Sequence, residues 1–512
     1  MRWPRRRPRL NDERALRRRA GLQHLMHACM AFLYLLVLSH AHPAHAADQV
    51  PVFSACQIGG SDSPEHLPAK CTTLTVPEDR GHPEGKQIGL HVAVLAARAS
   101  KPKADPLFFI AGGPGQASTE AYVQEAQAFS RVHGDRDLVL VDQRGTGGSN
   151  RLDCPASDMR DLNPSDAAIV KATEACLKQL PGDPRFYTTS VAVEDLDAVR
   201  RALGYGQINL YGISYGTRVA LQYLREYPQS TRSVVLDGVV PADLAVGPDV
   251  SLDAQRALEL IFRRCEQDSG CHAAFPDLAG SFATLQHELQ AHSVAVTLRD
   301  PLTGAPRSEN LDWDQVAGAV RLMSYQSETV ALLPLLIHQA GSAHDYAPLM
   351  GDALIFSEEI GQSFARGMGA AVLCTEDAPF YKDDPASRKA MQETYLGALT
   401  VDQVAKSCRV WPKGVMTSDF KQAVVSDKPA LLLSGEDDPV TPPANAARAA
   451  RTLSNSLSLV VPGQGHGNVF RGCVPKLLAQ FIAAASVKGL NSGCVKGIKP
   501  FPFFVNFSGP KP

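Results

Sequence analysis

The stretch 207–226 reads QINLYGISYGTRVALQYLRE, an apolar strand-like run, a Gly212-Ile213-Ser214-Tyr215-Gly216 turn and an amphipathic helix-like run. A serine in that setting is a candidate nucleophile. At a sharp strand-to-helix turn the flanking glycines are needed because a Cβ would strike the neighbouring elements, and the strain lifts the hydroxyl clear of the sheet. Composition alone, with 40 glycines in 512 residues, yields about 0.2 such five-residue matches. A glycine-rich turn that merely contains serine is the bland alternative. The strand and helix on either side favour the catalytic reading of Ser214.

Working outward, residues 1–47 stand apart. Nine arginines lie between Arg2 and Arg19, an apolar run follows from Ala28 to Leu38, and Ala44-His45-Ala46-Ala47 offers small residues for cleavage. That is the pattern of an export signal, so the remainder is expected in the periplasm or outside the cell. The apolar run is too short to cross a bilayer comfortably. The whole chain carries 51 basic and 53 acidic residues; without the signal it is acidic, about −9. No basic stripe remains for neutralising phosphates, so no nucleic-acid partner is expected.

Eleven cysteines become ten once Cys29 leaves with the signal. An even number in an exported chain reads as disulfides. The spacing suggests five local pairs, Cys56–Cys71, Cys154–Cys176, Cys265–Cys271, Cys374–Cys408 and Cys473–Cys494, although spacing does not determine connectivity. No CxxC or HExxH motif occurs and the histidines are scattered, so neither a metal nor a cofactor is expected.

About 465 residues after the signal exceed one typical core and suggest a large domain with an insertion. Lys86 to Ala97 alternates in the period of a half-buried strand and should open the sheet in an antiparallel hairpin. Leu107–Ile110, Asp137–Val141, Ile208–Tyr211, Val234–Leu236, Ala430–Leu433 and Leu457–Val461 are short, nearly continuous apolar runs. These fit strands buried on both faces, and the helical stretches between them indicate a parallel sheet with helices on both sides, an α/β class. Residues 245–427 break the rhythm with helical patterns and few sheet-core runs. They are read as a mainly helical cap inserted between core segments 48–244 and 428–512, lying over the site. The aromatic tail from Phe501 to Phe507 should pack on the domain.

A serine hydroxyl needs a base, and the base needs an orienting acid. After an elbow serine the order along the chain is acid, then histidine. Ser434-Gly435-Glu436-Asp437-Asp438-Pro439 follows one core strand and Gly463-Gln464-Gly465-His466-Gly467 follows the next. His466 is the base, and either Asp437 or Asp438 the acid, since adjacent residues alternate in direction. Two N–H groups must also face the developing oxyanion. Tyr215 supplies one; Gly113, in Gly112-Gly113-Pro114-Gly115, supplies the other, because Pro114 has no N–H.

Gly112-Gly113-Pro114-Gly115, Asp142-Gln143-Arg144-Gly145, Gly212 to Gly216, Asp438-Pro439-Val440-Thr441-Pro442 and Gly465-His466-Gly467 together resemble the α/β-hydrolase exopeptidases of the proline iminopeptidase and tripeptidyl aminopeptidase group. The secreted, cysteine-rich build is closest to the tripeptidyl branch. The resemblance implies an α/β-hydrolase fold, Asp438 as acid with Asp437 as the fallback, and structural roles for Asp142 and Arg144. It implies a serine exopeptidase acting on peptides with a free N-terminus. Ala111 stands where proline iminopeptidases usually carry histidine, which argues against strict prolyl specificity. An aminopeptidase also needs a carboxylate for the substrate ammonium, and Glu376 and Asp377, beside Cys374, are the candidates. A secreted carboxylesterase or lipase with the same triad, and a non-catalytic binding module on the same fold, are the alternatives.

Overall fold

The computed structural model describes residues 51–511 except 61–64, 155–164, 302 and 383, and leaves the side chains of 356–362 undescribed. The export signal read at 1–47 lies outside the described residues.

The strands run in chain order β1 Ser54–Ile58, β2 Leu67–Pro77, β3 Gln87–Leu95, β4 Leu107–Ile110, β5 Leu138–Val141, β6 Ile208–Ile213, β7 Thr231–Asp237, β8 Val294–Arg299, β9 Pro306–Leu311, β10 Ala430–Gly435 and β11 Ser456–Val461, with a short antiparallel pair, β12 Phe504–Asn506 and β13 Gly509–Pro510, in the tail. Nine of them form one sheet, ordered β1-β2-β3-β5-β4-β6-β7-β10-β11. Pairing is antiparallel through β1, β2, β3 and β5, and parallel from β5 across to β11. The alternating strand β3 therefore opens the sheet through its hairpin with β2, and the continuous apolar runs form the parallel part.

Burial on two faces explains the runs of β4, β5, β6, β7 and β10, while β11, expected to be buried in the same way, lies at the sheet edge and exposes Ser458 and Val460. Leu210 and Leu236 pack on one face with Val193, Leu196, Val219 and Leu221 of the helices Thr189–Ala202 and Tyr215–Glu226. Tyr211 and Val235 pack on the other with Tyr122 of the helix Ser118–Glu125 and Leu478 and Phe481 of the helix Val474–Ala484. A polar residue at any of these strand positions would sit in a core on one side or the other.

Between β7 and β10 the chain is mainly helical, with one hairpin, β8–β9. The hairpin was not expected; Ala295, Thr297, Arg299, Pro306, Ser308 and Asn310 are exposed and only Val296 and Leu311 are buried, so it lacks the long apolar run of a strand buried on both faces. The segment 245–427 divides by packing. Leu258, Ile261, Phe282, Leu285, Trp313, Val316, Val320 and Leu336 form an apolar core of their own. Met368, Val372 and Cys374 instead join the core beneath the sheet. The tail packs as expected through Phe503, which is buried in the helical core, while Phe501 and Phe507 stay exposed.

Disulfides join Cys56–Cys71, Cys154–Cys176, Cys265–Cys271, Cys374–Cys408 and Cys473–Cys494, the five local pairs that spacing suggested. Among the described residues no helix is long and apolar enough to cross a membrane.

Candidate active site

Ser214 occupies the turn between β6 and the helix Tyr215–Glu226 with φ 56° and ψ −125°. A non-glycine residue there is strained by about 1–3 kcal/mol, and such strain persists only where its surroundings hold it. Here the flanks are crowded: a Cβ on Gly216 would lie 2.4 Å from the Ile110 carbonyl oxygen, and one on Gly212 would lie 2.3 Å from the Gly216 carbonyl oxygen. Only glycine lets β4, β6 and the helix meet so closely. The Ser214 N–H donates to the Asp237 carbonyl at 2.8 Å, tying the turn to the end of β7.

The acid and the histidine sit on the turns after β10 and β11. Asp438 Oδ1 accepts the N–H groups of Val440 (2.9 Å) and Thr441 (2.8 Å), and Oδ2 accepts the Thr441 hydroxyl at 2.7 Å. This local cap aims the carboxylate at His466, whose Nδ1 lies 2.9 Å from Asp438 Oδ2 and 3.0 Å from Thr441 Oγ1. Asp437 turns the other way and pairs with Arg264. The two residues that sequence left open are thus separated by their partners, and Asp438 is the one at the imidazole.

Burial opposes charge on both members, yet their contacts outweigh it. Asp438 is fully buried, but the charge and hydrogen bond of His466 and the N–H groups of Thr441 and Val440 hold its carboxyl below the usual range. Burial likewise pushes the His466 imidazolium down, while Asp438 and then Asp237 raise it above the ordinary histidine value. The imidazole ring is walled by Tyr325, edge-on at 5.1 Å, whose carbonyl accepts the backbone N–H of His466 at 2.7 Å.

The glycine loop after β4 comes up against the serine. A Cβ on Gly112 would be 3.0 Å from Ser214 Cβ and 3.7 Å from its Oγ. Gly113, next along, has φ 112°, and among the described residues neither its N–H nor that of Tyr215 is engaged in a hydrogen bond. Two free donors beside a strained serine can stabilise an oxyanion. Ala365 N–H donates to the Gly115 carbonyl at 2.9 Å and pins this loop from the helical segment. Among the described residues no three His, Cys, Asp or Glu side chains gather as a metal site would require.

Comparison with known families agrees with the topology. The sequence model of a family described as alpha/beta hydrolase fold matches residues 105–312, and that of a family described as TAP-like protein matches 393–494, the part that carries the acid and histidine turns. The chain is a hydrolase of the α/β-hydrolase fold. This hydrolase is 24% identical over 461 residues to the serine protease Hip1 of Mycobacterium tuberculosis, covering 83% of this chain and 87% of that one. It is 28% identical over 211 residues to the tripeptidyl aminopeptidase of Streptomyces lividans, covering 38% and 39% of the two chains. To the carboxylesterase B of Mycobacterium tuberculosis it is 26% identical over 478 residues, with 86% and 89% covered.

In the hydrolase, Glu376 and Asp377 do not form an open ammonium site, and that expectation is corrected. Both are buried. Asp377 takes both terminal nitrogens of Arg218, each at 2.8 Å, together with the Val246 N–H at 2.9 Å. Glu376 takes the Thr189 N–H at 2.7 Å and the Thr189 hydroxyl at 2.9 Å. Burial pushes Glu376 up to about 7 despite Arg218 and Thr189. Their partners lie on helices far away in sequence, so local reading could not see that the carboxylates were occupied.

Asp142 and Arg144 do not pair with each other. Asp142 accepts the Thr119 N–H (3.0 Å) and hydroxyl and the Gly148 N–H (3.0 Å), bracing the start of the helix behind the glycine loop. Arg144, fully buried, grips Asp195 at 2.5 and 2.7 Å and the Glu78 and Phe186 carbonyls.

Sequence reading missed Thr441 and Asp253. Thr441 was visible in the Pro-Val-Thr-Pro run, where a hydroxyl three residues past an aspartate is a turn signal. Asp253 lies on the helix Pro248–Gln267, which docks on the acid turn through Arg256, a donor to the Glu436 (2.9 Å) and Asp438 (2.8 Å) carbonyls. Burial pushes the Asp253 carboxyl up to about 7, Arg256 opposes this, and Asp249 and Asp438 add to it. It accepts no hydrogen bond among the described residues, and nothing in its local sequence marks it.

Proposed function

We propose that the hydrolase is an exported serine exopeptidase that releases short segments, tripeptides or their near equivalents, from the free N-terminus of peptides. The observation that carries this reading is the 2.9 Å contact of His466 Nδ1 with Asp438, on turns flanking the strained Ser214, within a region matched by the TAP-like family. Ser214 Oγ attacks the scissile carbonyl as His466 Nε2 takes its proton, and Asp438 stabilises the imidazolium. Gly113 and Tyr215 N–H groups hold the oxyanion. His466 then protonates the departing amine; water, deprotonated by the same imidazole, attacks the acyl-enzyme and frees the N-terminal fragment. The helices 248–350 serve as the cap over this centre. Five disulfides favour an oxidising compartment, which supports export to the periplasm or beyond.

With Glu376 and Asp377 occupied, we assign the substrate ammonium to Asp253. A partly buried carboxylate with no hydrogen-bond donor of its own gains most from a cation. A secreted esterase is the second reading, favoured by the likeness to a carboxylesterase B. A free-amino tripeptide chromogenic substrate, its N-acetylated form and a short-chain p-nitrophenyl ester separate the two. The exopeptidase cleaves the first and loses the second; equal turnover of both peptides, or turnover of the ester alone, overturns it.

A further inference from the structure

Asp237 ends β7 fully buried, and the triad makes no use of it. Its backbone and side chain nevertheless hold two different parts of the site. The carbonyl accepts the Ser214 N–H at 2.8 Å. The carboxylate accepts the Asn468 N–H at 2.8 and 2.9 Å and the Val469 N–H at 2.8 Å, two and three residues past His466. The next residue, Gly238, has φ 66°, and a Cβ there would lie 2.9 Å from His466 Cε1 and from Thr441 Oγ1. One dipeptide therefore sets the histidine turn against the serine turn, and its carboxylate also acts through its charge on the imidazole.

We infer that Asp237 is a positioning residue of the reaction: its carboxylate clamps the turn that carries His466 and adds a second negative charge, beside Asp438, that favours the imidazolium. The groups facing His466 are Asp438 at Nδ1, Asp237 from β7, Arg321 from the helix Trp313–Met323, which opposes them, and the Tyr325 ring. Behind Asp237 a hydroxyl donor opposes the effect of burial on its charge. Tyr211 Oη lies 3.1 Å from Asp237 Oδ2 and 3.3 Å from Glu125 Oε2. Burial, with the charge of Asp237, pushes Glu125 up to about 8. The Tyr211 hydroxyl is thus shared between the two carboxylates as a donor, and its bond to Asp237 favours the charged form of that carboxylate. Asp237 is itself pushed to about 6 by burial, against the pull of Asn468, His466, Tyr211 and Val469, so it is charged where the enzyme would work.

This inference rests on the triad reading, and the test keeps the two apart. The rate of Ser214 labelling by a fluorophosphonate, which needs the histidine base but no particular substrate, is measured from pH 5 to 9 for the wild type, Asp237→Asn and Tyr211→Phe. In Asp237→Asn the acid limb moves down by about one pH unit, as removal of a neighbouring negative charge should cause, and the plateau rate falls about tenfold to a hundredfold. Tyr211→Phe keeps the backbone clamp and shifts the limb the same way by less, because an Asp237 without its donor protonates sooner; it reads the effect even where Asp237→Asn fails to fold. A wild type that does not label sinks the triad reading and this inference with it. A labelling wild type whose acid limb coincides with that of either folded variant sinks the inference alone.

Discussion

Asp438 and Asp437 are neighbours in sequence and opposites in space: Asp438 Oδ2 lies 2.9 Å from His466 Nδ1, while Asp437 pairs with Arg264 on the helix Pro248–Gln267. Peptide geometry sends adjacent side chains apart, so one carboxylate serves the imidazole and the other fastens the helical segment. Asp438→Asn is expected to lower kcat by about ten thousandfold, the scale seen when the orienting acid of such a triad is neutralised. Asp437→Asn should leave kcat within a few-fold and lower the melting temperature instead. Steady-state kinetics and thermal unfolding of the two variants check this, and equal loss of kcat in both would contradict it.

The pH dependence follows from the signs at His466. Asp438 and Asp237 raise its pKa above the ordinary value against burial. The imidazole must be neutral to accept the serine proton, so kcat/KM falls as pH drops through that raised value. The acid limb is therefore expected above pH ~6.5, the ordinary histidine midpoint. A profile of kcat/KM from pH 5 to 9 with its acid limb below that point would contradict the assignment.

Glu376 gives a stability signature distinct from the catalytic one. Burial lifts it to about 7 in the folded chain, whereas an unfolded glutamate titrates near pH ~4.3. The folded form keeps a proton that the unfolded form has released, so this contribution is complete below the unfolded value and is lost as pH rises through about 7. A protonated Glu376 leaves Asp377 alone to balance Arg218. Glu376→Gln should flatten the decline in unfolding midpoint between pH 5 and pH 8, measured by urea denaturation. A variant whose decline matches the wild type would show that Glu376 is already ionised.

Asp253→Asn tests the ammonium site. KM for a free-amino tripeptide substrate is expected to rise about tenfold or more, a loss of roughly 1.4 kcal/mol, while ester turnover stays unchanged. Parallel kinetics on the two substrates read the difference. An unchanged KM for the peptide would remove Asp253 from that role.

How much was legible depended on how far each signal reached. Five of the six apolar runs became the parallel strands β4, β5, β6, β7 and β10 because burial on both faces writes itself into consecutive residues, whereas the sixth, β11, is the edge strand and exposes Ser458 and Val460. The exposed hairpin β8–β9 left no such trace. The elbow was legible because its glycines answer contacts within a few residues or with an adjacent strand. The carboxylates Asp377 and Glu376 were misread because what occupies them, Arg218 and Thr189, is 159 and 187 residues away.

The order of strand, elbow, acid turn and histidine turn comes from the chain itself, since each rests on short-range sterics or on periodic burial. Folding alone decided which aspartate meets His466, which acids are consumed by buried arginines and which carboxylate is left without a donor. Those outcomes depend on the distance between side chains brought together by the sheet and the helices packed on it, and electrostatic partnership at a few ångströms has no counterpart in sequence spacing.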